Sequence, residues 1–132
     1  MMRLIIVVLL VLFSCTNKSI QSKIEDVDRI EIIDKESNFS HIETRKEVIQ
    51  GFKEVLKVEP EPTDCVPQGT ILFKKGDKAK LQVGYYKDAS ACTFLIVDNN
   101  GKKIGYRLSY NTLVYLGVYF QELKKQNDGR HN

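Results

Sequence analysis

The chain has 132 residues, of which 42% are hydrophobic and 28% charged, enough for one ordinary domain with a buried core and too little for two. Its 20 basic residues against 17 acidic ones leave a formal charge of +3. That is too small to argue for binding to nucleic acid, and no nucleic-acid partner is expected.

Residues 1–14 separate from the rest by composition. A basic start (Met1, Met2, Arg3) leads into an unbroken apolar run from Leu4 to Phe13, and the small polar Ser14 precedes Cys15. This is the order of a secretory signal peptide. The run would rise only about 15 Å as a helix, half of a roughly 30 Å hydrocarbon core, so it predicts targeting and not a permanent span. Residues Leu12, Phe13, Ser14 and Cys15 resemble the lipobox of bacterial lipoproteins, which places Leu three before the modified Cys and a small residue directly before it. Phe13 is larger than the residue usual at its place. The resemblance implies cleavage before Cys15, a thioether-linked diacylglycerol on its sulfur, and a further acyl chain on its freed amine. Two or more acyl chains anchor stably, so the mature chain is expected on a membrane through lipid, without a transmembrane helix. Thr16 stands where many such proteins carry the Asp of inner-membrane retention. The expected place is the cell membrane or outer membrane, facing the periplasm.

Removing the leader lowers the formal charge to +2 and takes Cys15 out of the cysteine count. Cys65 and Cys92 then form a pair in an oxidising compartment, which predicts a disulfide. Neither His41 nor His131 is near these cysteines in sequence and no C-x-x-C occurs. No metal site, redox centre or cofactor is therefore expected.

Residues 15–24 read as the lipidated N-terminus and a polar tether. A single globular domain is expected over 25–126 and a flexible tail over 127–132. Within the domain, alternation of Ile30 and Ile32 with Arg29 and Glu31 predicts a strand over 27–33. Thr44 and Glu47 have the spacing of a capping box. Val48, Ile49, Phe52, Val55 and Leu56 then fall on one helical stripe that ends before Pro60. Pro60, Pro62 and Pro67 mark 59–69 as a loop. Four strands follow at about 70–74, 79–86, 93–97 and 102–108, with Asn100-Gly101 as a hairpin turn. A last helix is expected over about 111–125, capped by Ser109 or Asn111, with Leu113, Leu116, Phe120 and Leu123 facing the core.

The order β-α-β-β-β-β-α predicts an α+β two-layer sandwich, an antiparallel sheet of about five strands with two helices on one face. Alternation assigns Ile71, Phe73, Leu81, Val83, Tyr85, Phe94, Ile96, Ile104, Tyr106 and Leu108 to the core. The other face would hold Leu72, Tyr86, Leu95 and Val97, bordered by Lys74, Lys80, Gln82, Lys103 and Arg107. An apolar centre with a basic rim is a candidate partner surface, and the alternative is that the proline-rich loop or the tether covers it, leaving a second small core. On the last helix, Val114, Tyr115 and Val118 lie opposite Leu116 and Phe120, so the helix is either buried on two sides, with help from the first helix, or exposes a stripe for a homodimer or partner. No G-x-S-x-G or H-E-x-x-H surrounds His41, so no catalytic residue is assigned. The functional expectation is a non-enzymatic, membrane-anchored lipoprotein that binds an envelope protein or component. The alternative is a small-ligand binder using a pocket between sheet and helices.

Overall fold

β-branched residues at alternate positions favour extended backbone, and the first strand forms where they begin. In the computed structural model, which describes residues 20–37, 39–88, 90–118 and 121, β1 is Arg29–Asp34, with Ile30 and Ile32 fully buried. After Asp34 its carboxylate accepts hydrogen bonds from the Ser37 N–H and hydroxyl at 3.1 and 2.6 Å, and the chain reverses into β2, Ser40–Glu43, antiparallel to β1. The sequence hides this hairpin because the turn has no glycine and the short run S-H-I-E holds one strong strand former.

The first helix of the amphipathic stripe, α2, spans Lys46–Val55 and follows a helical segment, α1, at 20–24. Ile49, Phe52, Val55 and Leu56 of the predicted stripe are buried, and Val48 packs against them. Burying each such side chain contributes about 1.5–3 kcal/mol. The capping box does not form. The helix is capped at Arg45 with no side-chain bond, because the Glu43 carboxylate already accepts the N–H groups of Thr44 and Arg45, at 2.9 and 3.0 Å. The helix therefore starts one residue too late for Thr44 and Glu47 to pair.

The later strands match expectation within two residues at either end: β4 is Gly69–Lys75, β5 Lys78–Tyr86, β6 Phe94–Asn99 and β7 Lys102–Arg107. Asn100 and Gly101 take the positive φ values, 54° and 86°, that make the last hairpin turn tight. A two-residue strand, β3 at Glu61–Pro62, adds to the far edge of β7. The protein is thus α+β, with an antiparallel sheet of seven strands in the order β2-β1-β4-β5-β6-β7-β3, larger than the five expected. The additions, β2 and β3, are both edges.

A third helical segment, α3, covers 110–118. Its cap is Ser109, whose hydroxyl accepts the Thr112 N–H at 3.3 Å. Leu116 is fully buried and Leu113 packs against the core, while the expected core residues Phe120 and Leu123 lie outside the described residues. Residues from all three helical segments, namely Ile20, Ile24, Phe52 and Leu116, join one cluster with Ile30, Ile71, Phe73, Tyr85 and Tyr106.

One expectation changes here. Residues 20–24 are not tether: they are helical, Ile24 is 1% exposed, and the Gln21 side-chain amide donates to the Leu56 carbonyl at 3.1 Å. The proposed signal peptide, Cys15 and the 127–132 tail lie outside the described residues. Among the described residues no helix is long and apolar enough to cross a membrane.

Candidate functional site

Directly paired residues of an antiparallel sheet project to the same face, so register decides which side chains the outer face displays. Tyr85 pairs with Leu95, which pairs with Tyr106. All three are core residues, and Leu95 is 0% exposed. Phe94 and Ile96 accordingly project to the outer face with Tyr86 and Gly84. This reverses the expected facing of β6 by one residue. Leu95 is removed from the candidate partner surface, and Val97, which packs against the core, goes with it. The run Phe94-Leu95-Ile96-Val97 is apolar at every position, so alternation carried no signal there.

A second correction concerns what covers that face. From β3 at one edge, residues 63–68 must pass β7, β6 and β5 to reach β4. Pro67 lies directly on Gly84, where an added Cβ would approach its ring to 2.7 Å. On the neighbouring strands the Phe94 ring occupies the space above Gly105 in the same way. The Arg107 guanidinium stacks over Phe94, 4.1 Å from the ring centroid, and donates to Glu61 at 2.9 Å and to the Thr93 hydroxyl at 3.1 Å. This crossing segment, a strap of residues 63–68, is stapled by the Cys65–Cys92 disulfide, with Cα atoms 5.8 Å apart. Arg107 is therefore part of the cover and not a free rim charge.

Among the described residues, the β1–β4 half of the outer face stays open. In register across it run Ile42, Glu31, Leu72 and Gln82, with Ile42 50% exposed. Lys74 reaches Glu31 at 3.3 Å. Lys80 sits at the β-bulge where β5 shifts register against β4. Between this half and the strap lies a concavity of about 400 Å³ bordered by Pro67, Thr70, Gln82, Ile96, Asp98 and Lys103. Of the predicted surface, the structure thus brings Leu72 and Lys103 to the open part, with Lys80 in the bulge at its border and Tyr86 paired to Phe94 near the strap.

No protein family, curated protein or solved structure matches the chain. What the site can do must be read from its own chemistry.

The sheet's edge hides a charged cluster that composition did not reveal. Glu43 is 5% exposed, and its carboxylate accepts two bonds from the Arg45 guanidinium, at 3.0 and 2.6 Å, and one from the Tyr115 hydroxyl at 3.0 Å. Arg45, its bonds to the carboxylate outweighing burial, lowers the Glu43 pKa from the ordinary range to about 2. Burial, and then the Glu43 charge, push the Tyr115 hydroxyl up. An ionised carboxylate with both oxygens engaged cannot accept a substrate proton near neutrality. Its chemistry is that of a clamp tying β2 to the start of α2 and to α3.

Tyr115 consequently leaves the expected homodimer stripe. Its ring meets Phe52 edge-to-face at 5.8 Å, whereas Val114 and Val118 are 46% and 53% exposed. Tyr110, at helical spacing from both, is exposed as well. His41 is exposed on β2. Among the described residues no group of three or more His, Cys, Asp or Glu side chains could hold a metal ion.

Proposed function

We propose that the chain is the precursor of a small membrane-anchored envelope lipoprotein, cut before Cys15, that is not an enzyme and binds an envelope protein through the open half of its outer sheet face. The lipobox-like residues Leu12 to Cys15 support the anchor. The observation that carries the binding reading is the incomplete cover: a stapled strap protects β5–β7, while half-buried Leu72 and half-exposed Ile42 lie beyond it beside the Lys74–Glu31 ion pair. Apolar centres bordered by charge suit protein partners.

The small-ligand reading has less support. Between sheet and helices, Phe52, Phe73, Tyr85, Tyr106 and Leu116 fill the interior, and the concavities open to solvent. Binding of a drug-sized ligand usually needs an enclosing pocket.

Two measurements test the proposal. The mass of the N-terminal peptide from membranes should show diacylglyceryl and acyl groups on Cys15, and Cys15→Ser should abolish them. A photo-crosslinking residue at position 72 should then give one discrete adduct in intact cells. The adduct should weaken in a Lys80→Glu/Lys103→Glu variant and be absent with the crosslinker on the outer face of α2 at Gln50. Equal crosslinking from positions 50 and 72 would count against the sheet face.

A further inference from the structure

How the domain sits on its membrane follows from the length of chain between the proposed anchor and the first packed residue. Ile20 is buried in the core, Ile24 more so, and the segment is tied to α2 by Gln21 on the Leu56 carbonyl and by the Lys53 ammonium on the Glu25 carbonyl at 3.3 Å. Only residues 16–19 are left to act as tether. From Cys15 to Ile20 the chain spans about 17 Å at most when fully extended, and about 12 Å on average if flexible. The domain itself is thicker, because a helix layer about 10 Å across, the sheet and the strap on its far face are stacked in turn, together about 20 Å or more. The strap lies on the opposite side of that sheet, where Pro67 covers Gly84.

We propose that the α1–α2 end of the domain rests on the phospholipid headgroups of the membrane carrying the anchor, so that the outer sheet face points away into the aqueous space. This rests on the lipoprotein reading. The surface brought to the headgroups is the cleft lined by Gln21, Ser22, Glu25, Gln50, Lys53 and Lys57. The Lys53 and Lys57 ammonium groups lie at the level of the lipid phosphates, and the exposed Val58 follows directly. The orientation also gives the short tether a consequence. It keeps the helix layer from competing for partners and presents the open half of the sheet to them.

The chain contains no tryptophan, so a single introduced Trp reports its own surroundings. Full-length protein, processed in a bacterial host, would be placed in vesicles of phosphatidylethanolamine and phosphatidylglycerol carrying a dansyl headgroup. Val58→Trp should lose most of its emission by energy transfer, and Val66→Trp, on the strap and exposed, should keep most of it. Gln50→Trp serves in place of Val58→Trp should that variant fold poorly. A long Gly-Ser insertion between Asn17 and Lys18 should restore the Val58→Trp emission. Equal transfer at positions 58 and 66, a reversed order, or transfer that survives the insertion would overturn the orientation, with lipid on Cys15 still leaving the anchor reading intact. Absence of lipid on Cys15 would remove the anchor reading and the orientation together.

Discussion

Glu43 shows how much one buried carboxylate can organise. It ends β2, takes the two N–H groups ahead of α2, and receives the Tyr115 hydroxyl from α3. Because its folded pKa, about 2, lies below the ordinary 4.5 of an unfolded glutamate, its contribution to stability is fully present above pH 4.5 and is lost as pH falls towards 2. The size of that contribution is about 3 kcal/mol. Urea titrations should therefore show stability falling steeply below pH 4.5, and Glu43→Gln should flatten that limb while lowering stability near neutrality by about 2 kcal/mol. A variant whose acid limb matched the wild type would show that other carboxylates govern it. Tyr115→Phe should cost about 1 kcal/mol, as for one hydrogen bond. Neither residue stood out in sequence as a pair, since 72 positions separate them and nothing local signals the contact.

At the scale of elements, β6 and the strap hold the sheet's outer face together. Leu95→Ala should destabilise the domain by about 2–5 kcal/mol, as fully buried leucines do, whereas Leu72→Ala on the half-buried outer face should cost distinctly less. Chemical unfolding of both variants checks the register directly, and equal losses would contradict it. Replacing both Cys65 and Cys92 by Ser should cost about 2–5 kcal/mol. Gly84→Ala should also destabilise, because its methyl would meet the Pro67 ring at 2.7 Å, and pairing it with Pro67→Ala should recover part of the loss. The strands from 69 to 107 were legible because turn residues bound each one. The strap was readable only as a proline-rich loop. Where it runs depends on β3 joining the edge of β7, a contact about 40 residues away that a two-residue segment cannot announce.

At the scale of the whole molecule, Tyr110, Val114 and Val118 leave an apolar stripe on α3. Replacing both valines with serine should change stability by no more than about 0.5 kcal/mol, as is usual for exposed sites. If the lipid-free domain dimerises through that stripe, light scattering should show the dimer shift to monomer in the double variant. A monomeric wild type would remove the homodimer.

The amino-acid sequence by itself determined the α+β class, the α2 stripe, four consecutive strands with their Asn100-Gly101 turn, and the Cys65–Cys92 pair. Each of these rests on local periodicity, turn chemistry or counting. Only the tertiary structure decided that Ile20 and Ile24 belong to the core, that Leu95 faces inward while Phe94 and Ile96 face out, and that β2 and β3 extend the sheet to seven strands. The reason is common to all three. A short or uniformly apolar segment has no period of its own, and its facing is set by the strand or helix it packs against.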